Sequence, residues 1–429
     1  MKLVIIGNGP AATSAIETFR RVDPASEIVL IAREVGPSYS PCPLAEYVEG
    51  TVPRASLFWR DEAFYRVYGV TTLWGRTVER VQPAEHQVVL ADGETIGYDR
   101  LLIAAGASTL RLPIPGFDLE GVFSFKTLAD ADALLAYLPA ARRALVIGAG
   151  FIGLEAAQAL QRRGLAVTVI EMLDRVMPLM LDEEMAAMVQ KRLEENGVTV
   201  RLKSQVQALQ GKSRRTRSTA RGKKPRSSKS RERVTRAVVD QQEIPCDLVI
   251  NAAGVRPNTQ LVAGTEIATD VGIRVDEHMR TTHPDVYAAG DIAQGRDLFG
   301  QSRVIATWPN AVAGGQVAGY NLAGWHCHLP GLEDANVVRI FGLPVVSLGR
   351  REGDATLRRV QDGVVRKLTL KAGRVVGLQQ IGTADNAGLF LGLIKQGRDV
   401  QALGETLLDM NFNYGRLLHP TGPLLPRRM

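Results

Sequence analysis

Two stretches of the chain repeat one pattern of apolar and polar positions. Each starts as a short unbroken apolar run, turns through closely spaced glycines and continues with helical periodicity. The first is Leu3-Val4-Ile5-Ile6, then Gly7-Asn8-Gly9-Pro10-Ala11-Ala12, then a helix to about Arg21. The second is Ala144-Leu145-Val146-Ile147, then Gly148-Ala149-Gly150-Phe151-Ile152-Gly153, then a helix to about Arg163. Unbroken apolar runs of this length predict parallel strands covered on both faces. Another such run follows each helix, over 28–31 and 166–170. Strand-like runs return over 364–370 and 374–378, and a helix is expected around 387–396.

Strand, glycine turn and helix in that order suit a pyrophosphate. The first glycine (Gly7, Gly148) permits the tight turn and the second (Gly9, Gly150) lets backbone approach phosphate. The third small residue (Ala12, Gly153) lets the helix pack close to the strand. Phosphate then meets the free N–H groups and positive end of the helix. An acid ending the second strand of each unit binds a ribose. In the second unit this is Glu171, 23 residues after Gly148, and its charge repels a 2′-phosphate, favouring NAD(H); Arg175 nearby blunts that preference. In the first unit the position is Ala32, and Glu34 is the remaining candidate.

At 429 residues the chain has room for two or three domains. The net charge of +7 is local in origin. Residues 212–233 hold eleven Lys or Arg and one acid, leaving −3 on the rest. Apart from Pro225 that segment has no apolar side chain larger than alanine and is expected to be a disordered insert over 211–233. It lacks the interleaved aromatics of single-strand nucleic-acid binders. Three cysteines without paired spacing exclude a disulfide scaffold. The absence of a long apolar run argues against a membrane span, and a cytoplasmic protein is expected. The run His326-Cys327-His328 cannot turn all three side chains to one ion, so no metal site is expected.

Four further segments carry a resemblance. These are Tyr98-Asp99-Arg100-Leu101-Leu102-Ile103-Ala104-Ala105-Gly106-Ala107, Val249-Ile250-Asn251-Ala252-Ala253-Gly254-Val255-Arg256-Pro257-Asn258, Asp285-Val286-Tyr287-Ala288-Ala289-Gly290-Asp291 and Phe151-Ile152-Gly153-Leu154-Glu155. With the two glycine turns they resemble the FAD-dependent pyridine nucleotide–disulfide oxidoreductases over about 1–326. The resemblance implies an α/β fold of two Rossmann-like domains, for FAD and NAD, plus a C-terminal α+β interface domain. The expected layout is FAD domain 1–112, NAD(H) domain 113–245 carrying the basic insert, FAD domain again 246–326, and interface domain 327–429. The insert would interrupt a hairpin flanked by 198–202 and 234–239.

The resemblance also implies site roles. Gly7, Gly9, Ala12, Glu34, Ala105, Gly106, Gly290, Asp291, Pro309 and Asn310 would serve FAD. Gly148, Gly150, Gly153, Glu171 and Gly254 would serve NAD. Glu155 would meet the nicotinamide, and the helix begun by Trp308-Pro309-Asn310 would point its N-terminus at the flavin ring.

Cys42 stands where single-cysteine NADH oxidases, peroxidases and coenzyme A disulfide reductases keep a redox thiol. Three features oppose that role. No second cysteine lies four residues on, Pro10 replaces the histidine of the first glycine turn, and only Tyr414 survives of a C-terminal tyrosine pair. The preferred expectation is an NAD(H):acceptor oxidoreductase passing electrons through FAD to an iron–sulfur partner protein or subunit, as an oligomer or within a complex. FAD subunits of phenylglyoxylate dehydrogenase or tungsten aldehyde oxidoreductase look similar. Cys42 is then expected to be a small buried residue. The alternative is thiol chemistry at Cys42. A third reading is a flavoprotein whose reduced form changes partner binding through the basic insert.

Overall fold

The computed structural model describes residues 1–212 and 232–418. Both apolar runs with their glycine turns form the central strands of five-stranded parallel sheets. In the first sheet the spatial order is Val286–Ala288, Arg100–Ile103, Lys2–Ile6, Glu27–Ala32, Val70–Trp74. In the second it is Thr199–Arg201, Ala166–Ile170, Arg143–Ile147, Leu248–Asn251, Val122–Ser124. Central strands are covered on both faces, so Leu3, Val4, Ile5, Leu145 and Val146 are fully buried. In each sheet the chain leaves the central strand to one side and later fills the other. The crevice beyond the strand ends at that reversal is where such sheets bind ligands.

Each sheet carries a three-stranded antiparallel meander, Val78–Gln82, Gln87–Leu90, Thr95–Gly97 in one and Val206–Lys212, Arg233–Val239, Gln242–Pro245 in the other. The two crossings between the sheets pair with each other, Ala107–Thr109 against Val255–Pro257. The C-terminal region is a five-stranded antiparallel sheet, in the order Ala335–Ile340, Leu343–Gly349, Arg374–Ile381, Val364–Lys371, Ala355–Gln361, covered by the helix Ala387–Gln396.

Four expectations need correction. The return to the first domain does not occur at 246, because Leu248–Asn251 pairs with Arg143–Ile147 inside the second sheet; the crossing lies at Val255–Pro257. The hairpin around the basic insert is flanked by Val206–Lys212, whereas Thr199–Arg201 within the expected 198–202 strand is the outer parallel strand. Residues 213–231, the bulk of that insert, lie outside the described residues. Gly211, Lys212 and Arg233, counted in the insert, are strand residues. The first domain also extends past 326. Cys327 N–H donates to Asn321, Leu329 N–H to the Glu277 carbonyl and Leu332 N–H to that of Arg296.

The helices Pro10–Val22 and Trp308–Leu322 cross at very short range. A Cβ on Gly315 would overlap the Ala11 carbonyl, and one on Gly319 would overlap Thr18 and Ala15. The Thr18 hydroxyl donates to the Gln316 carbonyl at 3.1 Å, tying the pair. Gly315→Ala is expected to lower stability by about 1–3 kcal/mol, the usual cost of overpacking, read as a fall in thermal midpoint. An unchanged midpoint would contradict this crossing.

Candidate flavin and nicotinamide site

Both glycine turns are built to receive a ligand. Gly7 holds φ +104° and Gly148 φ +101°, left-handed values that favour glycine. A Cβ on Gly7 would overlap the Ala104 carbonyl, and one on Gly148 would come 2.5 Å from the Ala252 oxygen. Gly9 and Gly150 instead face open space. Gly153 is packed so that a Cβ would overlap the Gly148 carbonyl, and Ala12 is fully buried. The helices that begin at Pro10, Phe151 and Trp308 have neither a side-chain cap nor an acid in the first turn. By contrast, Thr127 caps Leu128–Tyr137 and Asp182 caps Glu183–Glu195. The helix Ala387–Gln396 is uncapped as well, but the three named here begin at the glycine turns and the crevice, where their free N–H groups are a donor set that fits pyrophosphate and flavin.

Around the first turn several groups interlock. Asn8 donates to the Gly36 carbonyl at 3.0 Å and accepts from the Tyr65 hydroxyl at 2.7 Å. Glu34 is exposed beyond the strand end and accepts from the Tyr39 hydroxyl at 2.7 Å. Burial, then the Glu34 charge, push the Tyr39 pKa up. Asn258 donates to the Ala105 carbonyl at 2.8 Å and, through its backbone, to that of Gly106 at 3.1 Å. Gly106, Gly254 and Gly290 all hold left-handed φ, and Gly290 lies against Ala11. Asp291 pairs with Lys126 at 3.2 Å.

Pro309 is exposed at the first turn of its helix. The Asn310 amide donates to the Ile305 and Glu333 carbonyls and accepts from Glu333 N–H. Its side chain is therefore spent on holding the chain that leads to the C-terminal sheet. Trp308 meets Trp59 edge-on at 5.3 Å, and the Trp59 indole donates to Thr13 at 3.0 Å, on the first turn of the opposite helix.

In the second unit both carboxylate oxygens of Glu171 are engaged, accepting from Ala149 N–H at 2.8 Å and Leu173 N–H at 2.9 Å. Glu155 sits half-buried one turn into Phe151–Arg162, and that helix packs on Leu44–Glu49. Burial, and to a lesser degree the Glu46 charge, raise the Glu155 pKa to about 7. Cys42 lies two residues before Leu44–Glu49 and is exposed, which corrects the expectation of a buried thiol: the turn at 40–43 leaves its side chain at the surface. Its backbone N–H donates to Ser40 at 3.3 Å. Nearby, Tyr47 and Arg54 both bond to Asp132. Cys246 is buried, and desolvation, then Asp247, push its thiol up to about 12, which leaves it inert.

Asn8 stands within the first glycine turn, but its bonds to Gly36 and Tyr65 are not legible from sequence. No local signal marks Tyr65, Lys126, Trp59 and Glu46, since each meets the site across tens of residues of chain.

The fold and these paired turns define an FAD-dependent NAD(H) oxidoreductase. The chain belongs to the pyridine nucleotide-disulphide oxidoreductase family, whose model matches residues 1–315. It is 32% identical to an NADH oxidase of Methanocaldococcus jannaschii, over 87% of this chain and 82% of that one. It is 29% identical to the NADH-dependent phenylglyoxylate dehydrogenase subunit epsilon of Aromatoleum evansii, over 97% and 96% of the two chains. A solved NAD-dependent persulfide reductase from A. fulgidus matches with TM-score 0.82 and 29% identity, over 94% of this chain and 78% of the other. Two Bacillus subtilis relatives are longer, and the chain spans 51% and 48% of them. Among the described residues no helix is long and apolar enough to cross a membrane.

Proposed function

We propose that the chain is the flavoprotein component of a two-protein or multisubunit system, taking hydride from NADH and delivering electrons to an iron–sulfur partner. When bound, FAD supplies the centre that accepts a hydride and is emptied one electron at a time. The first glycine turn (Gly7, Gly9, Ala12) carries its pyrophosphate, Glu34 its ribose, Gly290 and Asp291 its ribityl chain. Ala105 and Gly106 line the approach, and the backbone at Pro309 and Asn310 lends the positive end of the Trp308 helix to the ring. Gly148, Gly150, Gly153, Glu171 and Gly254 hold NADH, and Glu155 stands at the nicotinamide.

The supporting observation is the setting of Cys42. Among the described residues its thiol has no hydrogen-bond partner, and Cys246 is buried while Cys327 lies on the far end of the Trp308 helix. A thiol cycle needs a general acid to protonate its leaving group, and none is paired with Cys42. The near end-to-end match to a dehydrogenase subunit that is NADH-dependent points the same way. The exposure of Cys42 favours a second reading, in which the thiol itself reduces a small disulfide, persulfide or peroxide.

Cys42→Ser separates the two. NADH-driven reduction of a one-electron dye is expected to stay within about twofold of wild type, under about 0.4 kcal/mol of barrier. A loss of about a hundredfold in turnover would transfer the function to the thiol.

A further inference from the structure

The loop between Glu171 and the helix Glu183–Glu195 is fastened on two sides. On the ligand side it holds the second glycine turn from two directions. Ala149 N–H donates to Glu171 at 2.8 Å, and the Ala149 carbonyl accepts from Met177 N–H at 2.8 Å. On the opposite side the same loop is gripped by the C-terminal sheet. Arg351 donates to the carbonyls of Pro178 at 3.0 Å and Leu181 at 2.9 Å, and the Ser347 hydroxyl donates to that of Met180 at 2.9 Å. Just beyond, Asp182 N–H donates to Gln379, and Lys367 bridges Asp182 and Glu184 at 2.6 Å each.

We infer that Arg351 is a positioning residue for dinucleotide binding: through the 172–181 loop, the C-terminal domain sets the geometry of the Ala149 turn and so the affinity for NAD(H). The inference rests on the assignment of Gly148–Gly153 and Glu171 to the nicotinamide dinucleotide. The path is short and wholly bonded. Arg351 holds the Pro178 and Leu181 carbonyls, Met177, the residue before Pro178, holds Ala149, and Ala149 is the middle residue of the turn where pyrophosphate docks. Met177 adopts φ +47°, an uncommon value for a side-chain-bearing residue, so this segment needs support from outside itself. Hydrogen bonds from Arg358 and then Lys367 hold the Glu184 carboxyl down to about 2, so the fastening keeps its charge at any working pH. A change in the C-terminal domain, such as a partner docking on it, would thereby reach the nicotinamide site.

The test compares Arg351→Ala, Ser347→Ala and Glu171→Ala in the full-length FAD-loaded protein, using NAD⁺ titration by calorimetry and steady-state kinetics with NADH. Arg351→Ala is expected to weaken NAD⁺ binding and raise the KM for NADH by about three- to tenfold, the usual range for coupling through a packed network. The kcat, FAD content and thermal midpoint should hold, Arg351→Lys should recover part of the affinity, and Ser347→Ala should show a smaller effect in the same direction. If Glu171→Ala weakens NAD⁺ binding and Arg351→Ala does not, the inference is overturned and the site assignment stands. If neither variant weakens NAD⁺ binding, the assignment itself fails and takes the inference with it. If Arg351→Ala sheds FAD or lowers the midpoint along with affinity, Arg351 is a structural fastening and the inference is overturned.

Discussion

Gly7→Ala is expected to yield a colourless protein, with FAD content at least about tenfold below wild type and a lowered thermal midpoint. The methyl group would overlap the Ala104 carbonyl just past the neighbouring strand Arg100–Ile103, at a backbone φ of +104°. Left-handed backbone costs an L-residue about 1–2 kcal/mol, and overpacking adds about 1–3 kcal/mol. Gly7 N–H also donates to the Ile31 carbonyl at 2.8 Å, so moving the turn breaks the sheet's own bonding. Gly9→Ala isolates the ligand's share of this effect. Gly9 has φ −84° and nothing within 4 Å of its Cβ direction, so alanine is tolerated by the empty fold. It should fold with an unchanged apo-protein midpoint and still bind FAD poorly. Wild-type FAD content in both variants would mean that the pyrophosphate lies elsewhere.

The second large effect is a pH dependence carried by Glu155. An ordinary glutamate ionises near 4.3, but burial and the Glu46 charge raise Glu155 to about 7. With Glu155 placed at the nicotinamide as proposed, a carboxyl that is mostly protonated at pH 6 and mostly ionised at pH 8 would change the field there across that window. A nicotinamide giving up hydride becomes a cation, so a carboxylate beside it lowers the barrier. Reduction of the enzyme by NADH should therefore rise several-fold between pH 6 and 8, each tenfold corresponding to about 1.4 kcal/mol. Glu155→Gln should hold the low rate at every pH, and Glu46→Gln should move the midpoint to lower pH. For stability the sign is opposite. The raised pKa contributes stability that is complete at acid pH, below the unfolded value, and is lost as pH rises through about 7. Stopped-flow reduction traces that are flat with pH in the wild type would remove Glu155 from the nicotinamide.

The parts of this molecule legible in the sequence are those set by local rules. An apolar run followed by glycines at fixed spacing is a short-range code, and Lys2–Ile6 and Arg143–Ile147 both became central parallel strands. Glu171 was placed by counting from Gly148, and it does bond back to that turn. Which sheet a strand joins is not a local property. The run at 248–251 looks the same from sequence whether it closes the second sheet or reopens the first, and its partners at Arg143–Ile147 lie about a hundred residues away. The burial of Cys42 failed for a similar reason. A lone cysteine is usually covered by tertiary packing, but here the turn before Leu44–Glu49 leaves it in the open. Asn310 shows the limit of a motif: its position was legible, yet its amide serves Glu333. Lys126 and Tyr65 reach Asp291 and Asn8 across 165 and 57 residues.

The central claim is that FAD is the only redox centre that NADH fills in this chain. An anaerobic titration of the purified, FAD-loaded protein with NADH, followed by its visible absorbance, tests it most directly. Full bleaching of the flavin band at about one NADH per FAD is the predicted result, since a single two-electron centre has that capacity. An end point at about two NADH per FAD, returning to about one in Cys42→Ser, would mean that a cysteine-based centre takes the second pair of electrons and would contradict the account.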